Sequence, residues 1–121
     1  MQIKSIQRGG VKIAVVTGGE KVLIDVQSAL DLLATVNYET GADRIAIDKD
    51  VVADGFFVLS TGLAGDVLQK FVTYHTKVAI YGDYTGYTSK PLKDFIYESN
   101  KGSHVFFVPT KEEALERLAG G

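Results

Sequence analysis

The chain has 121 residues, 45% hydrophobic and 23% charged, which is the composition of a folded globular protein and predicts a single domain over residues 1–121. Its net charge of −2 comes from interleaved acids and bases, without the clustered Lys and Arg that nucleic-acid binding requires. The absence of cysteine excludes disulfides and thiol chemistry, and no apolar run approaches the ~20 residues of a membrane span, so we expect a cytoplasmic protein.

The first half of the chain predicts a hairpin followed by a helix and a further strand. Two short apolar runs flank Arg8-Gly9-Gly10, and glycine reaches the positive φ that a hairpin turn needs. From Val26 the apolar residues fall at helical spacing, with Asp25 placed to cap the helix and Gly41 to close it. The predicted elements are strands at residues 3–6 and 11–16, a helix that begins at Val26 and is closed by Gly41, and a strand at 44–47.

The second half alternates helices with strands. A helical stripe begins at Leu63, with Ser60 or Thr61 as its cap. Ser89 opens a third helix, and Thr110 followed by Glu113 is the pattern of a capping box for a fourth. The predicted elements are helices at residues 63–72, 89–101 and 110–118 and strands at 77–81 and 104–108.

The element order is therefore β-β-α-β-α-β-α-β-α. Strands that alternate with helices pair mainly in parallel, because parallel neighbours need a crossover connection. The unbroken apolar run at residues 105–108 indicates a strand covered on both faces. We expect an α/β fold with an N-terminal hairpin, a mostly parallel sheet and helices on its faces.

Three stretches of the chain resemble a family of small bacterial proteins, the domain-of-unknown-function 4180 family. They read SALDLLATVNYETGADRI, LAGDVLQKFVTYHTKVAIYGDY and SKPLKDFIYESNKG. The resemblance covers nearly the whole chain. It assigns no particular activity.

The element order, with an opening hairpin and a closing capped helix, also resembles the STAS domain (sulfate transporter and anti-sigma factor antagonist). In that family a strand is followed by Asp-Ser-Ser/Thr-Gly-Leu-Gly at a helix N-terminus, and the serine after the aspartate is phosphorylated in anti-sigma factor antagonists. The matching run here is Leu-Ser-Thr-Gly-Leu-Ala-Gly at residues 59–65, so the resemblance implies Ser60 as phosphoacceptor. Leu59 stands in place of the aspartate, and an extra loop at residues 49–58 precedes the motif.

Two loops at the carboxyl edge of the predicted sheet carry candidate ligand-binding residues. Ser60-Thr61-Gly62 either offers helix N–H groups and partial positive charge to an anion or only caps the helix. The loop at residues 82–88 follows a central strand, where open α/β folds bind ligands, and its tyrosines either stack on a ligand or cover the core. The candidates are Asp48, Ser60, Thr61, Gly62, Asp83, Tyr84 and Tyr87.

The sequence gives less support to a catalytic site than to these ligand-binding candidates. Asp48-Lys49-Asp50 looks like the Asp-x-Asp motif of haloacid-dehalogenase-type phosphatases, but the helical crossover between their motif strands and the later acidic pair for Mg²⁺ are missing. His75 and His104 are expected at the edge opposite Ser60, which makes a Ser-His pair or a zinc site a poor hypothesis. We predict no catalytic residue, no metal and no cofactor.

The sequence thus favours a non-enzymatic, STAS-like regulatory or binding module that contacts a partner protein or a small anionic ligand through the carboxyl edge. The alternatives are a Mg-dependent phosphatase-like enzyme using Asp48 and Asp50, and a purely structural assembly protein. A homo-oligomer also stays open. Phe56 and Phe57 have two alternative roles. If exposed, they would form a contact surface for a partner, but at least one of them is expected to fill the core.

Overall fold

A five-stranded sheet with helices on both faces forms this protein, for which a computed structural model describes residues 1–120. The predicted α/β class is confirmed. Between the third strand and the second helix the chain forms three short 3₁₀ turns, Lys49–Val51, Asp54–Phe57 and Leu59–Thr61. The elements are β1 (Gln2–Arg8), β2 (Val11–Thr17), α1 (Val26–Thr40), β3 (Arg44–Asp48), α2 (Leu63–Thr73), β4 (Lys77–Tyr81), α3 (Lys90–Lys101), β5 (Val105–Val108) and α4 (Lys111–Ala119).

The sheet is mixed, whereas the sequence predicts a mostly parallel one. β1 and β2 pair antiparallel, and the pairs from β2 to β5 are parallel. The reason lies in the turn after β1, where Gly9 and Gly10 both have positive φ, at 60° and 79°. Two such residues close a tight hairpin, which returns the chain antiparallel beside the strand it has just left.

The strands lie in the sheet in the order in which they occur along the chain, from β1 to β5. Each of the three crossovers between parallel strands therefore advances by one strand in the same direction. Right-handed crossovers of this kind all pass over the same face of a sheet, so α1, α2 and α3 share one face. The opposite face is left for α4, which contacts all five strands.

Two buried layers result, one on each side of the sheet. Ile45 and Ile47 of β3 belong to the layer under α1, α2 and α3, while Ala46 between them belongs to the layer under α4. This alternation is that of a strand buried on both faces. Ala114, Leu115 and Leu118 are the α4 side chains that pack into the second layer.

The helix caps predicted at Asp25, Ser89 and Thr110 and the closing residue Gly41 are present. The Asp25 carboxylate accepts the Ser28 N–H at 2.8 Å, and the Ser28 hydroxyl accepts the Asp25 N–H at 2.9 Å, which is a complete capping box. Gly41 closes α1 in the left-handed conformation, with φ 70°. The Ser89 and Thr110 hydroxyls each accept a backbone N–H three residues further on, and so begin α3 and α4.

A side chain of α3 forms hydrogen bonds with the backbone of β5, the edge strand of the sheet. The Asn100 amide donates to the Phe107 carbonyl oxygen at 2.9 Å and its side-chain oxygen accepts the Phe107 N–H at 2.7 Å. Phe106 and Val108 lie in the α4 layer and Phe107 lies in the other. One asparagine therefore ties α3 to the outermost strand through both backbone groups of a single residue.

Because α4 covers its face of the sheet without another helix, a cavity beneath it should be strongly destabilising. Leu118 has no exposed surface, so Leu118→Ala should lower the free energy of unfolding by about 2–5 kcal/mol. The matched control is Glu116→Ala on the exposed side of the same helix, expected within about 0.5 kcal/mol of the parent. Urea denaturation of both variants measures the difference, and equal losses would contradict the assigned role of α4.

Candidate functional site

Two neighbouring loops bring the candidate residues to one edge of the sheet. Asp48 and Tyr81 are opposite each other at the ends of β3 and β4, so the segments that follow them leave the sheet side by side. We call residues 48–62 and 82–88 the carboxyl edge. Asp48, Ser60, Thr61 and Gly62 lie on the first segment, and Asp83, Tyr84 and Tyr87 lie on the second.

A lysine and three aromatic rings join the two segments. The ring of Phe57 lies 5.9 Å from that of Tyr84 and 5.4 Å from that of Tyr87, centroid to centroid. The Lys49 ammonium lies 5.4, 5.8 and 4.9 Å from the centroids of Phe57, Tyr84 and Tyr87. These distances are those of cation–π contacts, which the negative ring faces make favourable. We call Phe57, Tyr84 and Tyr87 the aromatic cluster.

Tyr84 covers the hydrophobic core. Its hydroxyl donates to the Ile80 carbonyl oxygen at 2.8 Å, and its ring contacts Phe107 edge-on at 6.0 Å. Burial, followed by repulsion from Tyr87, raises the pKa of Tyr84 well above that of a free phenol. Both tyrosines pack against the core under α1, α2 and α3. The packing of both rings on the core is thus observed, and their role in binding a ligand stays a prediction.

The carboxylates of the two segments are engaged within their own loops. Asp48 accepts the Asp50 N–H at 2.9 Å and caps the first 3₁₀ turn. Asp83 accepts the Thr85 hydroxyl at 2.6 Å and the Thr85 N–H at 2.8 Å, and these bonds, the hydroxyl first, lower the pKa of Asp83. No group of three or more potential metal ligands occurs within residues 1–120.

Asp48 and Asp50 also affect the pKa of Tyr81, which lies opposite Asp48 on the neighbouring strand β4. Burial in the α4 layer raises the pKa of Tyr81, and the negative charges of the two aspartates raise it further. The Tyr81 hydroxyl therefore stays neutral at physiological pH.

The start of α2 differs from the predicted one. The residue before the helix is Gly62, with φ 76°, and no side chain provides an N-terminal cap. Residues 59–61 form a 3₁₀ turn instead, so the Ser60 hydroxyl is exposed ahead of the helix and does not cap it. The Thr61 hydroxyl accepts the Leu63 N–H at 3.1 Å and donates to the Val58 carbonyl oxygen at 2.8 Å. Of the two predicted caps, only Thr61 contacts the helix backbone.

Four further residues of this edge, Lys49, Phe56, Phe57 and Gly82, were not among the candidate site residues. Phe57 is buried, as is Phe56, so the prediction that at least one of the pair plugs the core is confirmed. Lys49 crosses Gly82 so closely that a Cβ at Gly82 would lie 2.6 Å from the Lys49 Cβ. A glycine directly after a buried strand is the sequence signal that marks such a close approach.

Neither described cavity is lined by a candidate residue. One, of about 470 Å³, lies between the C-terminal ends of α1 and α2, and the other, of about 260 Å³, lies between the Gly102 turn and α4. The strand order accounts for this. Open α/β sheets form a crevice where the strand order reverses, and here the order runs from β1 to β5 without reversal.

The two histidines lie outside the carboxyl edge. His75 follows α2 with a left-handed φ of 55°, and His104 precedes β5, each at the end of the sheet where β4 and β5 begin. Both are exposed. Their placement agrees with the expectation that neither pairs with Ser60.

A family model matches residues 8–118. The chain belongs to the family described as Domain of unknown function (DUF4180). This confirms the family predicted from the three sequence stretches. No curated protein and no solved structure matches the chain, so the likeness to STAS domains stays a prediction. Within residues 1–120, no helix of this DUF4180 member is long and apolar enough to cross a membrane.

The two hydroxyls before α2 of the DUF4180 chain should differ in their effect on stability. Thr61→Ala removes the acceptor of the Leu63 N–H and should cost about 1 kcal/mol. Ser60→Ala removes an exposed hydroxyl and should change stability by less than about 0.5 kcal/mol. Urea denaturation of the two variants compares their free energies of unfolding directly. A larger loss of stability for Ser60→Ala would contradict the helix start at Leu63.

Gly82 should tolerate no side chain. Gly82→Ala brings a Cβ against Lys49 and should destabilise the fold by about 1–3 kcal/mol. Gly86 lies in the same loop, and a Cβ added there would meet nothing within 4 Å, so Gly86→Ala serves as the control and should stay within about 1 kcal/mol of the parent. Thermal denaturation distinguishes them, and equal melting temperatures would contradict the close Lys49 approach.

Proposed function

We propose that this DUF4180 protein is a non-enzymatic, STAS-like regulatory module that binds a partner protein through its carboxyl edge. The observation that carries the proposal is the shape of that edge. Ser60, Thr61, Gly62 and Asp83 are exposed, the aromatic cluster is packed down onto the core, and both described cavities lie elsewhere. Small ligands are usually enclosed in a pocket, whereas proteins bind one another through broad exposed surfaces.

The charges of the edge favour a partner with basic groups over a small anionic ligand. Its two segments contain four aspartates and one lysine. That lysine, Lys49, already lies over the aromatic cluster. Lys21, in the loop between β2 and α1, donates to the Asp50 carbonyl oxygen at 3.0 Å. An anion would meet net repulsion here, whereas Lys or Arg on a partner would be attracted and would speed association.

A phosphorylation switch fits the same surface. The Ser60 hydroxyl is exposed and has no hydrogen-bond partner among residues 1–120, so it is accessible to a kinase. The resemblance to STAS domains implies a phosphoacceptor at this residue. Phosphate would add a charge of about −1.5 to −2 to an acidic surface and so change its affinity for a charged partner.

The proposal is tested by NMR titration of the ¹⁵N-labelled full chain with purified proteins encoded beside its gene. Binding should perturb the backbone amides of Ser60, Thr61 and Asp83 and weaken as salt rises. Asp83→Lys should lower affinity about tenfold or more if the charge faces the partner. Glu39→Lys is the matched control, because it makes the same charge reversal on an exposed residue at the far end of α1.

Other outcomes would replace the proposal. A footprint away from the carboxyl edge would refute it. Perturbation of residues 60–65 by inorganic phosphate alone at submillimolar concentration would instead identify the small anionic ligand. Concentration-dependent shifts at the same edge without any partner would favour the assembly protein.

A further inference from the structure

Aromatic rings, and not a carboxylate, hold the ammonium group of Lys49. The ammonium lies 5.4, 5.8 and 4.9 Å from the ring centroids of Phe57, Tyr84 and Tyr87. Within residues 1–120 it makes neither an ion pair nor a hydrogen bond, although an aspartate precedes and another follows this lysine in the sequence. The aromatic cluster thus already holds a cation, which the chain itself supplies.

The three rings of the aromatic cluster converge on the place where this ammonium lies. The centroid of Phe57 lies 5.9 Å from that of Tyr84 and 5.4 Å from that of Tyr87, and the two tyrosine centroids are 6.1 Å apart. A cation within about 6 Å of a ring centroid is attracted by the negative ring face. Several rings around one point form the cages that recognise quaternary ammonium groups.

The rings are held in place by contacts that do not involve Lys49. The Tyr84 hydroxyl donates to the Ile80 carbonyl oxygen at 2.8 Å. Phe57 is buried, and its ring lies 5.0 Å from that of Phe56. Rings that are already ordered bind a ligand without the cost of ordering them, so the cluster is preorganised for a cation.

The side chain of Lys49 is free to leave the rings. Lys49, Tyr84 and Tyr87 are half-buried, so solvent reaches the cluster. The lysine stem passes over Gly82, where a Cβ would lie 2.6 Å from the Lys49 Cβ. A flexible four-carbon stem can turn its end into solvent while the backbone stays in place. Lys49 is therefore a competitor that another cation can displace.

The charge around the cluster favours a replacement cation once Lys49 has turned away. Asp83 is exposed at the start of the same loop. Hydrogen bonds from the Thr85 hydroxyl and N–H lower the pKa of Asp83, and the nearby charge of Lys49 lowers it further. Displacement of the lysine leaves this carboxylate available to attract a cation at the rings.

Two other lysines near the carboxyl edge lie beside carboxylates of their own. Lys21 approaches Asp54 at 3.8 Å, and Lys90, at the start of α3, pairs with Asp94 at 2.7 Å. Neither pairing involves Asp83 or the rings. The positive charge that a ligand must replace at the cluster is therefore that of Lys49.

We propose that the aromatic cluster is a binding site for a quaternary ammonium group, which displaces Lys49 from the rings. A primary ammonium is strongly hydrated and loses part of its hydration over the rings. A trimethylammonium group has no N–H to hydrogen-bond water, and its methyl groups pack on the ring faces. Its source is a free small molecule or a methylated lysine of a protein. The site lies within the carboxyl edge but does not rest on the partner binding proposed above, because free compounds test it.

A charged probe and its neutral carbon analogue test the charge requirement. The ¹⁵N-labelled full chain is titrated with choline and, separately, with 3,3-dimethylbutan-1-ol, which has the same shape without the charge. Choline should bind with a Kd on the order of 10 mM, about fivefold tighter than the alcohol. The shifts should centre on Lys49, Tyr84 and Tyr87. The ε-methylene proton signals of Lys49 should move to those of a solvated lysine.

Removal of the competing side chain should tighten binding. Lys49→Ala uncovers the rings and should raise choline affinity about tenfold, because the apparent Kd falls as the fraction of free sites rises. Lys21→Ala is the matched control, since it removes the same charge near this edge, and it should change affinity less than about twofold in physiological salt. Tyr87→Leu keeps an apolar side chain on the core but removes one ring face, and should weaken choline binding about fivefold. Thermal denaturation checks that each variant is folded.

A short peptide distinguishes the two sources of the ammonium group. It is blocked at both ends and carries one trimethyllysine, and its unmethylated form should bind about tenfold more weakly. Tighter binding of the methylated peptide than of choline would identify a methylated protein as the source. Tighter binding of choline would identify a small molecule.

Three results would overturn the proposal. Equal affinities for choline and the neutral alcohol would show that the rings do not select a cation. Equal gains for Lys49→Ala and Lys21→Ala would reduce the effect to the net charge of the edge. Unchanged Lys49 ε-methylene signals in the parent chain at about 50 mM choline, well above the expected Kd, would show that no displacement occurs. This last measurement decides the matter even if Lys49→Ala does not fold.

Discussion

Right-handed crossovers between strands that follow one another in sequence constrain the whole molecule. They place α1, α2 and α3 on one face of the sheet, because each crossover advances by one strand in the same direction. The other face would then expose a layer of apolar side chains if α4 did not return across it. The same strand order aligns all the parallel strand ends without a reversal, which explains a carboxyl edge that is an exposed surface rather than a crevice.

Features set by neighbouring residues could be predicted from the sequence. The caps at Asp25, Ser89 and Thr110 depend on hydrogen bonds across three residues, so each is visible in a short window. The hairpin at Gly9-Gly10 likewise requires only backbone conformations that glycine adopts readily. These local interactions give the correct element order, from which the α/β class follows.

Features that depend on distant contacts could not be predicted in this way. Lys49 carries no distinguishing signal in the sequence, and its position over Tyr84 and Tyr87 is set by the pairing of β3 with β4. The 3₁₀ turn at Leu59–Thr61, which displaces Ser60 from the helix start, likewise carries no motif in the sequence that predicts it. The cavity of about 470 Å³ is lined by residues that lie between 30 and 76 in the sequence, a set that no single motif encodes.

The contact between Asn100 and Phe107 has a consequence for how these molecules behave in a crowded solution. β5 is a short apolar edge, and an open edge of that kind recruits strands from other chains into extended β-assemblies. An incoming strand needs the Phe107 N–H and carbonyl oxygen, and the asparagine amide already occupies both. Asn100 thus acts as a gatekeeper against edge-to-edge aggregation, built from the same donor and acceptor pair that a neighbouring strand would supply.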